Sequence, residues 1–419
     1  MKRFLILGLV FLLLGSALFA DDAKVMPGRL GRFYFAPSFS FAPGAYDSDG
    51  NYESFDDGSV KVLNMGFALE YGIIDWLTFA IQWAPGWTVW SDIEAASGFK
   101  DSNTNGVADI FLGAKFQIIG ANAPVKTEMF RLAVAPGLAI PLPGPDFEEE
   151  FKNVREGKKA TLGSMDKHVL GAGGRFYFDW NINKKFFINL YNETLFYPIK
   201  NDLNKHSPNL AGLKAQMLGM AAAVGPGMGI AEFLSNFPPG TTVESLMGTS
   251  IPDGYGGTIV VTPAFIESIM AAGTAEALRL AQGFVDNVKG EVDYKYRLTF
   301  EIEPVFSSMV ADGIIFTAGL PVNYVFSPAY EYTVKGLAPI AAFAGQFAPN
   351  LASEKAILET ARLVGNDAHI LSLKPNVSLF LLKTPLPLEF KFQYNAPIYG
   401  QNVNATHTMA LQVRAYFKI

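Results

Sequence analysis

Long segments of strict apolar/polar alternation constrain this 419-residue chain more than any other feature of its sequence. Phe130, Leu132, Val134, Pro136, Leu138, Ile140 and Leu142 alternate with Arg131, Ala133, Ala135, Gly137 and Ala139. Val292, Tyr294, Tyr296, Leu298, Phe300 and Ile302 alternate with Asp293, Lys295, Arg297, Thr299, Glu301 and Glu303. Similar runs cover Ile314 to Phe326 and Leu386 to Tyr394. A strand sends successive side chains to opposite faces, so each segment has one apolar face and one polar or small face. Soluble strands typically end after about five or six residues. These approach or exceed ten, as a strand crossing a bilayer at a tilt of about 45° requires.

Twelve such segments are readable, over 32–41, 60–71, 77–90, 107–118, 130–142, 169–181, 185–197, 292–306, 314–326, 370–382, 386–396 and 408–419. Tight links join 2 to 3, 6 to 7, 8 to 9 and 10 to 11, with a modest one between 4 and 5. The intervening connections are mostly much longer. This alternation of short and long is the asymmetry of membrane barrels, with short periplasmic turns and long external loops. Half of the residues are apolar, yet after residue 20 no uninterrupted apolar run of the spanning-helix kind is read. An apolar chain without spanning helices meets lipid by closing a sheet on itself. The expectation is therefore an all-β fold: a transmembrane antiparallel β-barrel of about 12 strands, or 14 if Ile259–Val261 or Tyr330–Val334 join the wall, with helical extracellular insertions.

The termini agree with an outer-membrane address. Met1-Lys2-Arg3 precedes an apolar run from Phe4 to Phe19, and Ala17-Leu18-Phe19-Ala20 leads into Asp21-Asp22. This reads as a signal peptide over 1–20, leaving 21–419 as the barrel. The last segment runs to Ile419 through Val413, Ala415 and Phe417, and resembles the C-terminal signal recognised by the barrel-assembly machinery. There is no Cys, which excludes lipoprotein anchoring, disulfides and Cys-ligated metals. A net charge of −6 without a basic stripe disfavours nucleic acid. Only about ten residues separate the cleavage site from Arg32, so no plug is expected before the first strand.

The wall expected to face outer-membrane lipid carries Phe35, Phe39, Phe41, Trp83, Trp87, Phe300 and Phe392, with Tyr71, Trp76, Trp90, Trp180, Tyr197 and Tyr399 in interfacial girdles. The candidates for the lumen are Arg175, Asp179, Glu193, Asp293, Lys295, Arg297, Glu301, Glu303, Glu389, Lys391 and Arg414. Charge within a span is costly unless it pairs or meets water, so these residues belong inside, either paired with one another or lining a path. Segments 3 to 5 offer small inward residues instead, which leave room for an inserted stretch of chain. Pro85, Gly86, Gly113, Pro136 and Gly137 are candidates for a kink in the wall, because Pro cannot donate to the ladder and Gly weakens it. Small-residue packing inside the barrel is the competing explanation. A kink shared by strands 3 to 5 would make a side exit for solutes that partition into lipid.

Two insertions interrupt the pattern, at 198–291 and 327–369. In the first, Leu210–Leu234 is rich in Ala, Gly and Met, and Thr262 before Pro263 has the form of an N-cap opening a helix to Val288. In the second, Leu351–Val364 is a shorter helical candidate. His168, His206, His369 and His407 lack metal spacing and a convincing Ser or Asp partner, so no enzyme, metal or cofactor is expected.

The stretch Gly106-Val107-Ala108-Asp109-Ile110-Phe111-Leu112-Gly113-Ala114-Lys115-Phe116, followed by Ala135-Pro136-Gly137-Leu138-Ala139-Ile140-Pro141-Leu142, resembles strand motifs of the outer-membrane barrels named for the meta-pathway of phenol degradation. Those are related in style to FadL-like channels. The resemblance covers about a tenth of the chain, and Ala108 stands where the motif usually has Gly. It implies passive uptake of small hydrophobic or amphipathic compounds, with a small hydrophobic ligand as partner. A general porin for polar solutes and a non-transporting surface adhesin or structural barrel are the alternatives.

Overall fold

The computed structural model describes residues 22–55, 59–84, 86–91, 105–106, 109–142, 146, 149, 169–252, 257–346, 348–361 and 363–418. The signal segment and Pro85 lie outside them. Twelve wall strands follow one another: β1 (Leu30–Ala42), β2 (Val60–Ile74), β3 (Leu77–Trp83 and Gly86–Ser91), β4 (Ile110–Ile119), β5 (Phe130–Ile140) and β6 (Gly171–Asn181). Then come β7 (Phe186–Phe196), β8 (Tyr296–Ala311), β9 (Ile314–Gly319 and Val322–Ser327), β10 (Ala368–Leu373 and Asn376–Leu381), β11 (Leu388–Gln401) and β12 (His407–Lys418).

Each strand is antiparallel to its sequence neighbours. β1 closes the ring by pairing on one side with β2, from Gly31↔Tyr71 to Ala42↔Val60, and on the other with β12, from Leu30↔Lys418 to Phe41↔His407. Closure leaves no edge, so the wall satisfies its backbone donors and acceptors without water. Ile259 and Val260 do not join it but pair in a hairpin with Ser250–Pro252, and Glu331–Lys335 lies in a small separate sheet.

The faces are inverted relative to a soluble protein. On β8, Arg297, Thr299, Glu301 and Glu303 are buried while Phe300 and Ile302 are exposed. On β12, Ala410, Gln412 and Arg414 are buried while Met409 and Leu411 are exposed. Exposed apolar side chains and buried polar ones on every turn of the pleat are what a wall between lipid and a polar interior requires. Tyr197 departs from its expected place in the girdle. It is buried, because it shares the inward parity of Glu193 and Leu195.

Several boundaries move. β8 runs on to Ala311, so its turn to β9 is only Asp312-Gly313. β11 reaches Gln401, five residues beyond the last alternating position expected, passing a register shift opposite Leu371/Ser372. Its connection to β12 is consequently short. β9 and β10 are each interrupted before a proline, Pro321 and Pro375, and the interruptions are bridged by Lys374 N–H to the Pro321 carbonyl (2.8 Å) and Tyr394 N–H to the Pro375 carbonyl (3.0 Å).

The helical unit, residues 207–290 and 333–363, is compact in itself. Its axis is α1 (Pro208–Leu234) against α2 (Pro263–Asp286). Both begin at the signal their sequence carries: a hydroxyl N-cap, Ser207 or Thr262, accepting from the backbone N–H three residues on, with Pro at the first turn. By length and composition α1 is apolar enough to cross a membrane, contrary to the sequence reading that found no such run. The two helices meet through glycine: a Cβ at Gly225, Gly229 or Gly273 would run into the backbone opposite. Small residues spaced four apart permit that approach. Glu354–Ala361 forms the shorter helix expected near 351–364, and Ala338–Gly345 adds one that the sequence did not announce.

Because the chain has no native Cys, closure can be tested directly. Phe39 and Met409 are register partners on the lipid face of the β1–β12 seam. A Phe39→Cys, Met409→Cys double variant is expected to form an intramolecular disulfide on mild oxidation in membranes. Phe39→Cys with Val413→Cys, four residues out of register, is expected not to, as a non-reducing gel after proteolysis would show.

Candidate functional site

The lumen is built from cross-strand neighbours of opposite charge. Arg32 faces Glu70 in register and binds it at 2.5 Å. Arg175 faces Glu193 (2.5 Å), Arg131 faces Asp179 (3.2 Å), and Glu389 faces Arg414 (3.2 Å). Lys374 reaches Glu301 (3.1 Å), which also accepts from its register partner Asn323 (3.0 Å). Glu303 is held by two amides, Asn189 (3.0 Å) and Asn376 (2.8 Å). Apart from Arg131, which is a quarter exposed, these side chains are largely buried, so each pair offsets part of the cost of removing its members from water.

Of the residues expected in the lumen, Asp179, Glu193, Arg297, Glu301, Glu303 and Arg414 are buried there, and Arg175, Glu389 and Lys391 are partly buried on the same inward face. Asp293 and Lys295 are not part of it. They lie in the approach to β8, where Asp293 accepts the Lys295 N–H (3.0 Å) and the Lys295 ammonium pairs with Glu331 (2.6 Å). Lys295 has a left-handed φ of 58°, which ends the alternation that the sequence showed running through it. Sequence reasoning missed Arg32, Glu70, Lys115, Arg131 and Lys374. Their signal was present for four of them, because each sits at the inward parity of its strand.

Residues 22–26 lie inside the lumen, contrary to the expectation of no plug before the first strand. Ala23 is fully buried among Ala133, Ala135, Tyr177 and Tyr191. Its N–H donates to Asp179 (2.9 Å) and its carbonyl accepts from Gln117 Nε2 (2.9 Å). The Lys115 ammonium donates to the Asp22 carbonyl, and Met26 N–H donates to Thr78 Oγ1 (2.8 Å). The small inward residues of β5 are thus the socket for this segment. Nothing in its sequence has a period, because it is held by main-chain groups.

Above it, Tyr34, Gln82, Phe111, Lys115, Arg175, Tyr177 and Arg414 are among the residues lining a cavity of about 30 Å³. That is room for one or two waters. The Phe111 ring lies over the positions where Gly113 and Gly137 would otherwise carry a Cβ, with the Arg175 guanidinium 3.9 Å from its centroid. Packing under Phe111 therefore explains both glycines. The ladder does have defects on this side. β3 is interrupted between Trp83 and Gly86, and the β4–β5 pairing skips from Gly113↔Gly137 to Phe116↔Val134 across Pro136. The second lies opposite Ala114 and Lys115 on β4. β5 pairs with β6 from Gly171↔Ala139 to Trp180↔Phe130 throughout.

A closed twelve-stranded antiparallel barrel, apolar outside and charge-paired within, is the architecture of an outer-membrane channel and locates the chain in the bacterial outer membrane. The COG4313 outer membrane channel from Pseudomonas putida F1 has a similar fold, with a TM-score of 0.51 over 95% of this chain and 99% of that one at 11% identity. A Pseudomonas aeruginosa FadL homologue (TM-score 0.32, 9% identity, covering 96% of each chain) and the CymD monoaromatic hydrocarbon channel (TM-score 0.30, 7% identity, covering 94% and 89%) are more distant. No family model matches the chain, and no curated protein does.

Two substitutions probe this interior. Glu193→Gln leaves Arg175 buried without its carboxylate and is expected to lower stability by about 3–5 kcal/mol in denaturant unfolding from lipid vesicles. Asp179→Ala removes the acceptor of Ala23 N–H and the partner of Arg131. It is expected to raise and destabilise the single-channel current in planar bilayers; a trace identical to the parent would mean that the segment is not what limits the lumen.

Proposed function

We propose that the protein is a channel for passive uptake of small hydrophobic or amphipathic compounds across the outer membrane. The observation that carries this reading is the filled lumen. Paired charges and residues 22–26 occupy the interior, and the cavity beside Phe111 and Arg175 measures about 30 Å³. A general porin for polar solutes works through a standing water-filled bore. A selective channel instead admits a solute that displaces resident groups, and such a solute contributes its own apolar burial to do so. Toward the outer end, the interior becomes apolar and aromatic, with Val169, Leu195 and Tyr197 buried against Phe111 and Tyr294. That lining suits an apolar body better than a sugar.

The deciding measurement is uptake by proteoliposomes of the purified chain. Saturable entry of a radiolabelled aromatic hydrocarbon such as toluene, above that of protein-free vesicles, is expected, with little osmotic swelling in sugars. Swelling at rates that fall steadily with sugar size would make the protein a general porin. Absence of both, with loss of surface attachment in a deletion strain, would favour the adhesin reading.

A further inference from the structure

Among the described residues, Arg297 is a buried lumen cation with no carboxylate in direct ion-pair contact. Arg32, Arg131, Arg175, Lys374 and Arg414 each have a carboxylate within 3.2 Å. Arg297 is only 7% exposed, its Nε has no hydrogen-bond partner, and no carboxylate of a described residue lies within ion-pair distance of it. The carboxylate on the diagonal, Glu193, acts on Arg297 only through space, because its oxygens are engaged by Arg175 (2.5 Å) and the Tyr191 hydroxyl (3.0 Å). A buried, unpaired cation is expensive, and a fold that retains one gains nothing in stability from it. Its inward neighbour on β8, Thr299, also has a buried hydroxyl without a partner.

The surroundings of Arg297 are aromatic. It stands in register opposite Leu195, beside buried Tyr197. The Tyr197 and Tyr294 rings meet edge to face at 6.0 Å, and Tyr294 and Tyr330 at 4.9 Å and 85°. Ring edges and faces in that arrangement accept another flat ring at the same spacing. We infer that Arg297 and this tyrosine cluster form the entry site for an aromatic carboxylate, with the anionic head on the guanidinium and the ring among Tyr197, Tyr294 and Tyr330. The chemistry is complementary at both ends. A carboxylate would accept the charge-assisted bond that Arg297 Nε lacks, and an unbranched inorganic anion would leave the ring contacts unused.

The inference rests on the uptake reading above and narrows its solute class. Its test is calorimetric titration of the full chain in nanodiscs with three probes: benzoate, benzyl alcohol (the same ring without the charge) and acetate (the charge without the ring). Saturable benzoate binding is expected, about ten-fold or more tighter than either control. In Arg297→Gln the preference of benzoate over benzyl alcohol should collapse, and Arg297→Lys should restore part of it. The Gln variant should also unfold at the same temperature as the parent or higher, because it removes an unpaired buried charge. Acetate binding as tightly as benzoate would overturn the aromatic half of the site. An undiminished preference in Arg297→Gln, or a lowered unfolding temperature in it, would overturn the assignment of Arg297. Toluene uptake with no benzoate preference would sink this inference and leave the broader function standing; no aromatic uptake of any kind would sink the broader function itself.

Discussion

Hydrocarbon offers no partner to a peptide group. An N–H or C=O left open to lipid costs several kcal/mol, so a sheet that enters the bilayer must close. Much of what is seen here follows from that closure. β1 has to serve two neighbours, which brings the N- and C-terminal strands together in one seam. Pleated strands in a ring have one face toward lipid and one toward the axis, so the apolar residues go outward and the polar ones are driven into a confined interior. Confinement then demands pairing. Arg32 with Glu70, Arg131 with Asp179, Arg175 with Glu193, and Glu389 with Arg414 are each direct register partners, so the ladder itself places opposite charges together.

Local signals were legible and long-range ones were not. The twelve wall strands could be read because the period of two is imposed on every strand that separates lipid from a polar interior. The N-cap at Thr262 could be read because it depends only on the next few residues. The identity of charge partners needed the register, which is set by turn lengths that the alternation alone leaves uncertain by a residue or two. β8 shows the difficulty: its pattern seemed to finish near residue 306, but the strand continues through Ser307 and Ser308 to Ala311, where the residues no longer advertise a face. The interruptions at Pro321 and Pro375 were likewise overlooked, because a break bridged by a neighbouring carbonyl leaves the alternation on either side intact. The glycines at 113 and 137 were legible as unusual, but their cause, the ring of Phe111, lies two residues from one and across a strand from the other.

Within the lumen the same principle sorts rigid parts from responsive ones. Groups that satisfy each other hold the wall in place, and groups that remain unsatisfied mark where something else is accommodated. Glu303, held by two amides, and Glu301, held by an ammonium and an amide, belong to the first kind. Arg297 belongs to the second. Satisfied polar contacts thus gather on the strands around Glu301 and Glu389, while Arg297, with its Nε unpartnered, lies near the Tyr197, Tyr294 and Tyr330 rings.

The manner in which the lumen grips its own leading segment has an evolutionary corollary. The grip passes largely through the main chain, by the Asp22 and Ala23 carbonyls and the Ala23 and Met26 amides, with the Asp22 and Lys24 side chains adding an ion pair and a contact to Phe187. Peptide groups are the same whatever side chain they carry, so most of this segment is free to drift provided it stays slim enough for the alanine-lined socket. The receiving side chains have no such freedom. Asp179, Gln117, Lys115 and Thr78 are individually matched to the atoms they hold. Substitutions among relatives that keep this arrangement should therefore accumulate unevenly, with a permissive occupant inside an exacting receptor.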